Sequence, residues 1–200
     1  SCQHHFGIKP DDNWQYRLIE EDGSRFEIIF SDDQGVTKES GRVVWSQSGL
    51  HNVKNALAAV IAAYQVGVNV SQSCEALSDF IGVKRRMEVI HESQGVTIYD
   101  DFAHHPTAIK STLEGLRAKV GEDFILAIIE PRSATMKMGV HQKTLASSVK
   151  SADQVLWYQN AAIDWDLASL SDSVEVPSMS TNKLDNLIEK AVNLAQSNVH

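Results

Sequence analysis

The chain has 200 residues, 42% of them apolar, enough for one large domain or two small ones with a sizeable core. Its 18 Lys and Arg stand against 26 Asp and Glu, a formal net charge of −8. That argues against the broad basic face that nucleic acid or a membrane surface requires, while leaving room for a small anionic ligand held by a few local cations.

Taken in chain order, Trp14–Glu20 and Ser24–Phe30 read as strands around Glu21-Asp22-Gly23, a hairpin signal. A third strand is expected over Gly41–Ser46. The period then becomes helical. From His51 to Gln65, the residues Val53, Ala56, Leu57, Val60, Ile61 and Tyr64 fall on one face, and Gly67 ends the helix. A second helix runs from about Ser71 to Phe80, with Gly82 as its stop.

Beyond Gly82 strands and helices alternate. Arg86–Glu92 and Gly95–Asp101 read as a strand pair. Pro106 suits the first turn of a helix striped by Ile109, Leu113, Leu116 and Val120. Phe124–Glu130 is nearly continuously apolar, as in a strand buried on both faces. A helix over Gly139–Ser151, a strand over Gln154–Tyr158 and a short strand at Val174–Val176 follow, then a last helix carrying Leu184, Leu187, Ile188, Ala191 and Leu194.

The expected fold class is therefore α/β. A smaller β-then-α piece, residues 1–84, precedes a mostly parallel sheet flanked by helices, residues 85–200. No apolar run reaches membrane-spanning length, and "SCQHHFGIKP" has no signal-peptide core. Cys2 and Cys74 make neither a metal-ligand pair nor a disulfide framework, which reads as a reduced cytoplasmic protein.

In parallel sheets ligands sit at the carboxyl ends of strands. Both "YDDFAHHPT" (99–107) and "EPRSATMK" (130–137) fall there. The first offers Asp100, Asp101, His104 and His105. Three readings stay open: a metal site, a nucleotide site with a carboxylate on the ribose and a histidine on phosphate, and helix capping. Two aspartates and two histidines exceed what capping needs. Strand alternation puts the two aspartates on opposite pleats; in the nucleotide reading Asp101 would be the one to face a ribose and Asp100 the one to bond loop N–H groups.

"GLHNVKNALAAV" (49–60) holds Asn52 and Asn55 on one helical face. An asparagine amide can pair with an adenine edge; alternatively Asn52 is an N-cap and Asn55 a solvated residue. "VKRRME" (83–88) gathers three cations, either a solvated run or a bidentate arginine for phosphate. Arg132 suits a carboxylate ligand. There is no P-loop, no G-x-G-x-x-G and no G-x-S-x-G.

In this order, "GLHNVKNALAAV", "GVKRRMEV" and "DDFAHHPTAI" resemble motifs of the Mur ligases, the ATP-dependent enzymes of bacterial cell-wall synthesis. "DDFAHHPT" is similar to the UDP-N-acetylmuramate–alanine ligase branch. "EPRSATMKMGVH" followed by "ADQVLWYQ" is similar to the members of that branch that attach the recycled tripeptide L-Ala-γ-D-Glu-meso-diaminopimelate to UDP-N-acetylmuramate. The resemblance implies a Rossmann-like C-terminal domain and amide-bond formation through an acyl phosphate, with ATP and Mg2+ as cofactors. UDP-N-acetylmuramate and a murein tripeptide would be the partners, with no nucleic acid and no membrane insertion.

It further implies that Asn55, with His51 and Asn52 nearby, binds the adenine edge. Arg86 would reach the ATP phosphates, Asp101 the ribose and His104 the phosphate end. Arg132, Ser133 and His105 would meet the peptide. Some family members carry lysine where Ala103 stands. The resemblance places a UDP-sugar domain, a P-loop and the main catalytic and magnesium-binding residues ahead of residue 1. It places a last strand region after residue 200, so the stretch is expected to be inactive alone. Two rival classes are a metal-dependent hydrolase using Asp100, Asp101, His104 and His105, and a nucleotide-binding regulatory module.

Overall fold

The computed structural model describes residues 6–7, 13–139 and 142–198; Cys2 lies outside them. The chain forms two compact units, Ser1–Gly82 and Val83–His200. Among the described residues no helix is long and apolar enough to cross a membrane.

The first unit is a sheet covered by two helices. Strands β1 (Phe6–Gly7), β2 (Trp14–Leu18), β3 (Arg25–Ser31) and β4 (Thr37–Val44) lie in sequence order. β1 runs parallel to β2, and the other pairs are antiparallel. At the β2–β3 turn Gly23 takes a φ of 78°, and a side chain there would meet Val53 at 2.9 Å. β4 begins at Thr37 rather than Gly41, because β3 offers a partner along its whole length; the polar run Thr37–Ser40 hides this in the sequence.

Helix α1 (Leu50–Gln65) and helix α2 (Val70–Ser78) cover one face. Trp14, Phe26, Ile28 and Val43 from the sheet bury against Val53, Leu57, Val60, Val70 and Cys74. Fully burying such side chains contributes roughly 1.5–3 kcal/mol each. Trp14 stacks on Phe30 at 4.5 Å and meets Tyr64 edge-on at 5.1 Å. Asn69 caps α2 by accepting from the Gln72 N–H at 2.8 Å.

The second unit opens with a hairpin, β5 (Glu88–Ser93) and β6 (Val96–Asp100). Its two-residue turn, Gln94-Gly95, has φ of 50° and 76°, matching the twist of the strands it joins. β5 starts at Glu88 and not Arg86, because Arg85 and Met87 adopt left-handed φ of 58° and 50°. Then come α3 (Pro106–Val120), β7 (Leu126–Ile129), α4 (Ala134–Lys137), α5 (Gln142–Ser148), β8 (Gln154–Tyr158), α6 (Leu167–Ser173), β9 (Ser178–Thr181) and α7 (Leu184–Ser197). The three later strands form a parallel sheet in the order β7-β8-β9.

Ala127, Val155 and Trp157 bury one face of that sheet against Ile109, Leu113, Leu145, Leu167 and Leu170 of α3, α5 and α6. Leu156 is buried on the opposite pleat, and α7 runs against all three strands. The Trp157 indole N–H donates to the Ser178 hydroxyl at 2.8 Å, satisfying a polar group deep in the core. Arg117 ties α3 to the start of β7: its guanidinium donates to the Gly121 and Asp123 carbonyls at 2.8 and 2.7 Å and pairs with Asp153, which accepts from the Ile125 N–H at 2.7 Å.

Three sequence expectations are corrected. β7 is an edge strand whose Ile128 is 52% exposed, so the strand buried on both faces is β8. Val174–Val176 is not a strand: Val174 is the C-cap of α6, and both valines pack on the core. The strand falls at Ser178–Thr181, where pairing with β8 overrides a polar sequence. The expected helix over 139–151 is shorter at both ends, running from Gln142 to Ser148 behind the short α4, and Gly139 between them takes a φ of 70°.

Two outcomes follow from the first core. A Cβ at Gly41 would lie 2.7 Å from the Cys74 sulfur and 3.2 Å from the Val70 carbonyl oxygen. Gly41→Ala is therefore expected to cost about 1–3 kcal/mol by overpacking, read from denaturant unfolding; an unchanged midpoint would contradict this packing. Burial also pushes the Cys74 thiol from 9.0 up to about 11. Below pH 9 the thiol is neutral folded or unfolded and its burial is fully favourable. As pH rises toward 11 the unfolded thiol ionises first, and that contribution is lost. Over this window the unfolding free energy should fall more in the parent chain than in Cys74→Val; parallel curves would refute the assignment.

Candidate functional site

The site is built from chain segments that leave the carboxyl ends of strands, one from the β5–β6 hairpin and the others from the parallel sheet. β6 ends at Asp100, and six residues later Pro106 opens α3 in its first turn. The N-cap is His105, in extended conformation, with its Nδ1 accepting from the Thr107 N–H at 3.3 Å. That bond leaves the proton of the neutral ring on Nε2. His104 is exposed; its Nδ1 lies 3.1 Å from the Phe102 carbonyl, so here Nδ1 carries the proton and Nε2 is the outward atom.

The two aspartates exchange one expected role. Asp101, not Asp100, bonds the loop: Oδ1 accepts from the Ala103 N–H at 2.8 Å and the Thr112 hydroxyl at 3.4 Å, and Oδ2 from the Met87 N–H at 3.0 Å. Asp100 pairs with Arg85 Nε at 3.1 Å. The Arg85 guanidinium also lies 5.1 Å from the Phe102 ring centroid, within cation–π range. Arg86, between the two left-handed residues, is exposed.

A second loop leaves β7. Ser133 donates its hydroxyl to the His104 carbonyl at 3.0 Å and accepts from the Met136 N–H at 3.4 Å. It thereby locks the Arg132 loop beside the His104 loop. Arg132 is 72% exposed, its Nε 3.3 Å from Glu130 Oε2. Glu130 Oε1 accepts from the Asn160 amide on the loop after β8 at 2.5 Å. Next to Asn160 a cleft of about 740 Å³ opens at the carboxyl ends of β8 and β9, with Tyr158, Asp166, Thr181 and Asn182 on its walls. Asp166 also caps α6, and the Ala168 N–H and Ser169 hydroxyl hold its carboxyl below the usual range.

The structure thus joins Asp101, His104, His105, Arg132 and Ser133 on adjacent loops of the second unit. His51, Asn52 and Asn55 lie in the first unit, on the opening turns of α1. The α1 N-cap is Gly49, not Asn52; Asn52 donates its side-chain amide to the Ser48 carbonyl at 2.8 Å. Asn55 is exposed. Among the described residues no three His, Cys, Asp or Glu side chains gather as a metal-binding group. The quartet of the hydrolase reading is dispersed over an ion pair, a loop anchor and a helix cap.

Sequence reasoning overlooked Glu130 and Asn160. Each stands at or just past the carboxyl end of a parallel strand, the position that drew attention to Arg132 and could have drawn it to them.

The swap of roles is testable on stability alone. Asp101→Asn turns an amide toward backbone donors and is expected to cost about 1–3 kcal/mol. Asp100→Asn loses only an exposed pair and should cost less than about 1 kcal/mol. Chemical denaturation of both variants decides; the reverse ranking would contradict the hydrogen bonds of this loop.

Residues 85–199 match the family model described as Mur ligase, glutamate ligase domain. The chain is 41% identical over 189 residues to the UDP-N-acetylmuramate–L-alanyl-γ-D-glutamyl-meso-2,6-diaminoheptandioate ligase of Escherichia coli (strain K12), covering 94% of this chain and 40% of that protein. It is 40% identical over 194 residues to the ligase of the same name from Haemophilus influenzae, covering 96% and 42%. The crystal structure of a murein peptide ligase from Psychrobacter arcticus superposes with a TM-score of 0.64 at 43% identity, over 93% of this chain and 39% of that one. A UDP-N-acetylmuramate–alanine ligase of Thermotoga maritima, 19% identical with a TM-score of 0.67 over 96% of this chain and 47% of that one, shares the fold. The chain spans about two fifths of the length of the curated relatives, 40% and 42% in the two cases given. With its second unit carrying the matched domain, the chain belongs to the Mur ligase family.

Proposed function

We propose that the chain is part of an ATP-dependent ligase that joins the tripeptide L-Ala-γ-D-Glu-meso-diaminopimelate to UDP-N-acetylmuramate in the cytoplasm. In this reading residues 1–84 are the end of a central ATP-binding domain and residues 85–200 most of a C-terminal domain. The observation that carries it is the Arg132 loop: an exposed guanidinium at the carboxyl end of a parallel strand, steadied by Glu130 and pinned through Ser133 to the His104 loop. Identity to proteins named as ligases of this tripeptide runs along nearly the whole chain, 94% and 96% of it. By contrast, a 40%-identical alanine ligase of Desulfitobacterium hafniense matches over 54%.

ATP would activate the muramoyl carboxylate as an acyl phosphate, which the peptide amine then attacks. The residues of this chain bind and orient. Asn55 would read the adenine edge, with His51 and Asn52 beside it, and Arg86 would take phosphate. Asp101 already accepts three hydrogen bonds, and a carboxylate offers about four lone pairs, which leaves room for a ribose hydroxyl. His104 would present Nε2 to the phosphate end. Arg132, with Ser133 and His105 on the neighbouring turns, would receive a peptide carboxylate. Mg2+ would accompany the nucleotide, but the described residues include no donor cluster suited to it, and none of these roles depends on one.

The test is kinetic, in the ligase that carries this chain. Losing a charged hydrogen bond costs about 1.5–3 kcal/mol. Arg132→Ala should therefore raise the tripeptide KM by a factor on the order of 10–100 and leave the ATP KM in place. A weakened ATP KM with unchanged peptide KM would assign the loop to the other ligand. Turnover with L-alanine in preference to the tripeptide would move the chain to the alanine-ligase branch.

A further inference from the structure

Glu130 divides its carboxylate between two loops. Oε2 faces Arg132 Nε at 3.3 Å, and Oε1 accepts from the Asn160 amide at 2.5 Å. Asn160 is fixed from its other end, because its Oδ1 accepts from the Ala162 N–H at 2.8 Å. The Glu130 side chain is only 28% exposed, whereas the Arg132 side chain is 72% exposed. The network therefore has a sheltered anchor and an outward cation. An exposed arginine left alone samples many rotamers, and a ligand that orders it loses affinity to that entropy. A partner on Nε limits this spread. With Glu130 at Nε, Nη1 and Nη2 remain a paired set of donors that a second carboxylate can take.

The same carboxylate reaches the wall of the cleft. Asn160 lines it together with Gln159, Thr181 and Asn182, and Asp166 is the only ionised group among the lining residues. A polar cleft with one anion, next to a clamped arginine, is complementary to a ligand carrying a carboxylate, amide groups and an ammonium. Three peptide units extend over about 10 Å, so such a ligand can engage two neighbouring loops at once.

We propose that Glu130 is a positioning residue for the peptide: it holds Arg132 to grip a peptide carboxylate and couples that grip to the Asn160 wall, where the cleft receives the polar, ammonium-bearing end of the same peptide. This rests on Arg132 being a peptide contact. The opposite sign is physically possible, since a carboxylate on Arg132 also competes with an anionic ligand. Orientation is favoured because the Glu130 contact is at Nε, which leaves Nη1 and Nη2 as donors for the peptide carboxylate.

The experiment measures steady-state kinetics of the ligase carrying this chain, with the tripeptide and ATP varied in turn, on Glu130→Gln, Asn160→Ser, Arg132→Ala and the double variant Glu130→Gln/Arg132→Ala. Glu130→Gln and Asn160→Ser are each expected to raise the tripeptide KM about tenfold, with kcat and the ATP KM within twofold of the parent. Melting temperatures are recorded beside them. The double variant should fall short of the product of the two single effects, because part of the Glu130 effect runs through Arg132. Isolated meso-diaminopimelate should inhibit the parent competitively against the tripeptide and lose potency in Asn160→Ser. A lower tripeptide KM in Glu130→Gln would show competition and overturn the proposal. So would additive losses in the double variant, or equal losses for ATP and peptide. If Arg132→Ala alone leaves the tripeptide KM unchanged, the peptide reading itself fails; if Arg132 matters and both Glu130 and Asn160 are inert, only the coupling fails.

Discussion

Parallel pairing of β7, β8 and β9 is the constraint from which the second unit follows. Strands that run the same way must each be rejoined by a crossover, and every crossover here leaves from the same edge of the sheet. Glu130, Arg132, Asn160 and Asn182 are far apart in sequence but are delivered to that edge because strand direction allows nothing else. The edge holds its shape because the face below it is packed: Trp157 is fully buried, and its one polar atom is satisfied by Ser178. A shift of that strand would strand the indole N–H and slide the Asn160 loop past Glu130 together.

Side chains on the loops proposed for the ligands also carry structural hydrogen bonds. Ser133 caps a short helix and pins a neighbouring loop; Asp101 orders the turn behind it and retains lone pairs for a ligand. On the roles proposed above, a substitution here would change binding and local order together. Measurements that separate KM from melting temperature are therefore more informative than activity alone.

The α/β class, the helical stripes and the strand-end placement of "DDFAHH" and "EPRS" are readable from periodicity, because burial imposes a regular pattern on the residues that touch the core. The stretches that misled are those where tertiary pairing outweighs local preference. Ser178–Thr181 is polar and looks like a loop, yet it pairs along β8; Val174–Val176 looks like a strand, yet it terminates a helix. The division of labour between Asp100 and Asp101 was also beyond a strand-alternation argument. It is decided by Met87 and Arg85, whose left-handed backbone brings one N–H to Asp101 and one side chain to Asp100. Asn160 and Glu130 were missed because no motif marks them, only their place on the sheet.

The same left-handed pair has a consequence for energetics. Arg85 and Met87 are ordinary L-residues held at φ of 58° and 50°, which costs on the order of 1–2 kcal/mol per residue. The Asp101 acceptor on the Met87 N–H and the Arg85 carbonyl bond to the Phe102 N–H at 2.8 Å hold the turn in that form. The turn is a loaded spring with its catch on Asp101. Any group that draws the Asp101 carboxylate away from Met87 releases part of that load, so the conformation around Arg86 and the occupancy of Asp101 form one thermodynamic cycle.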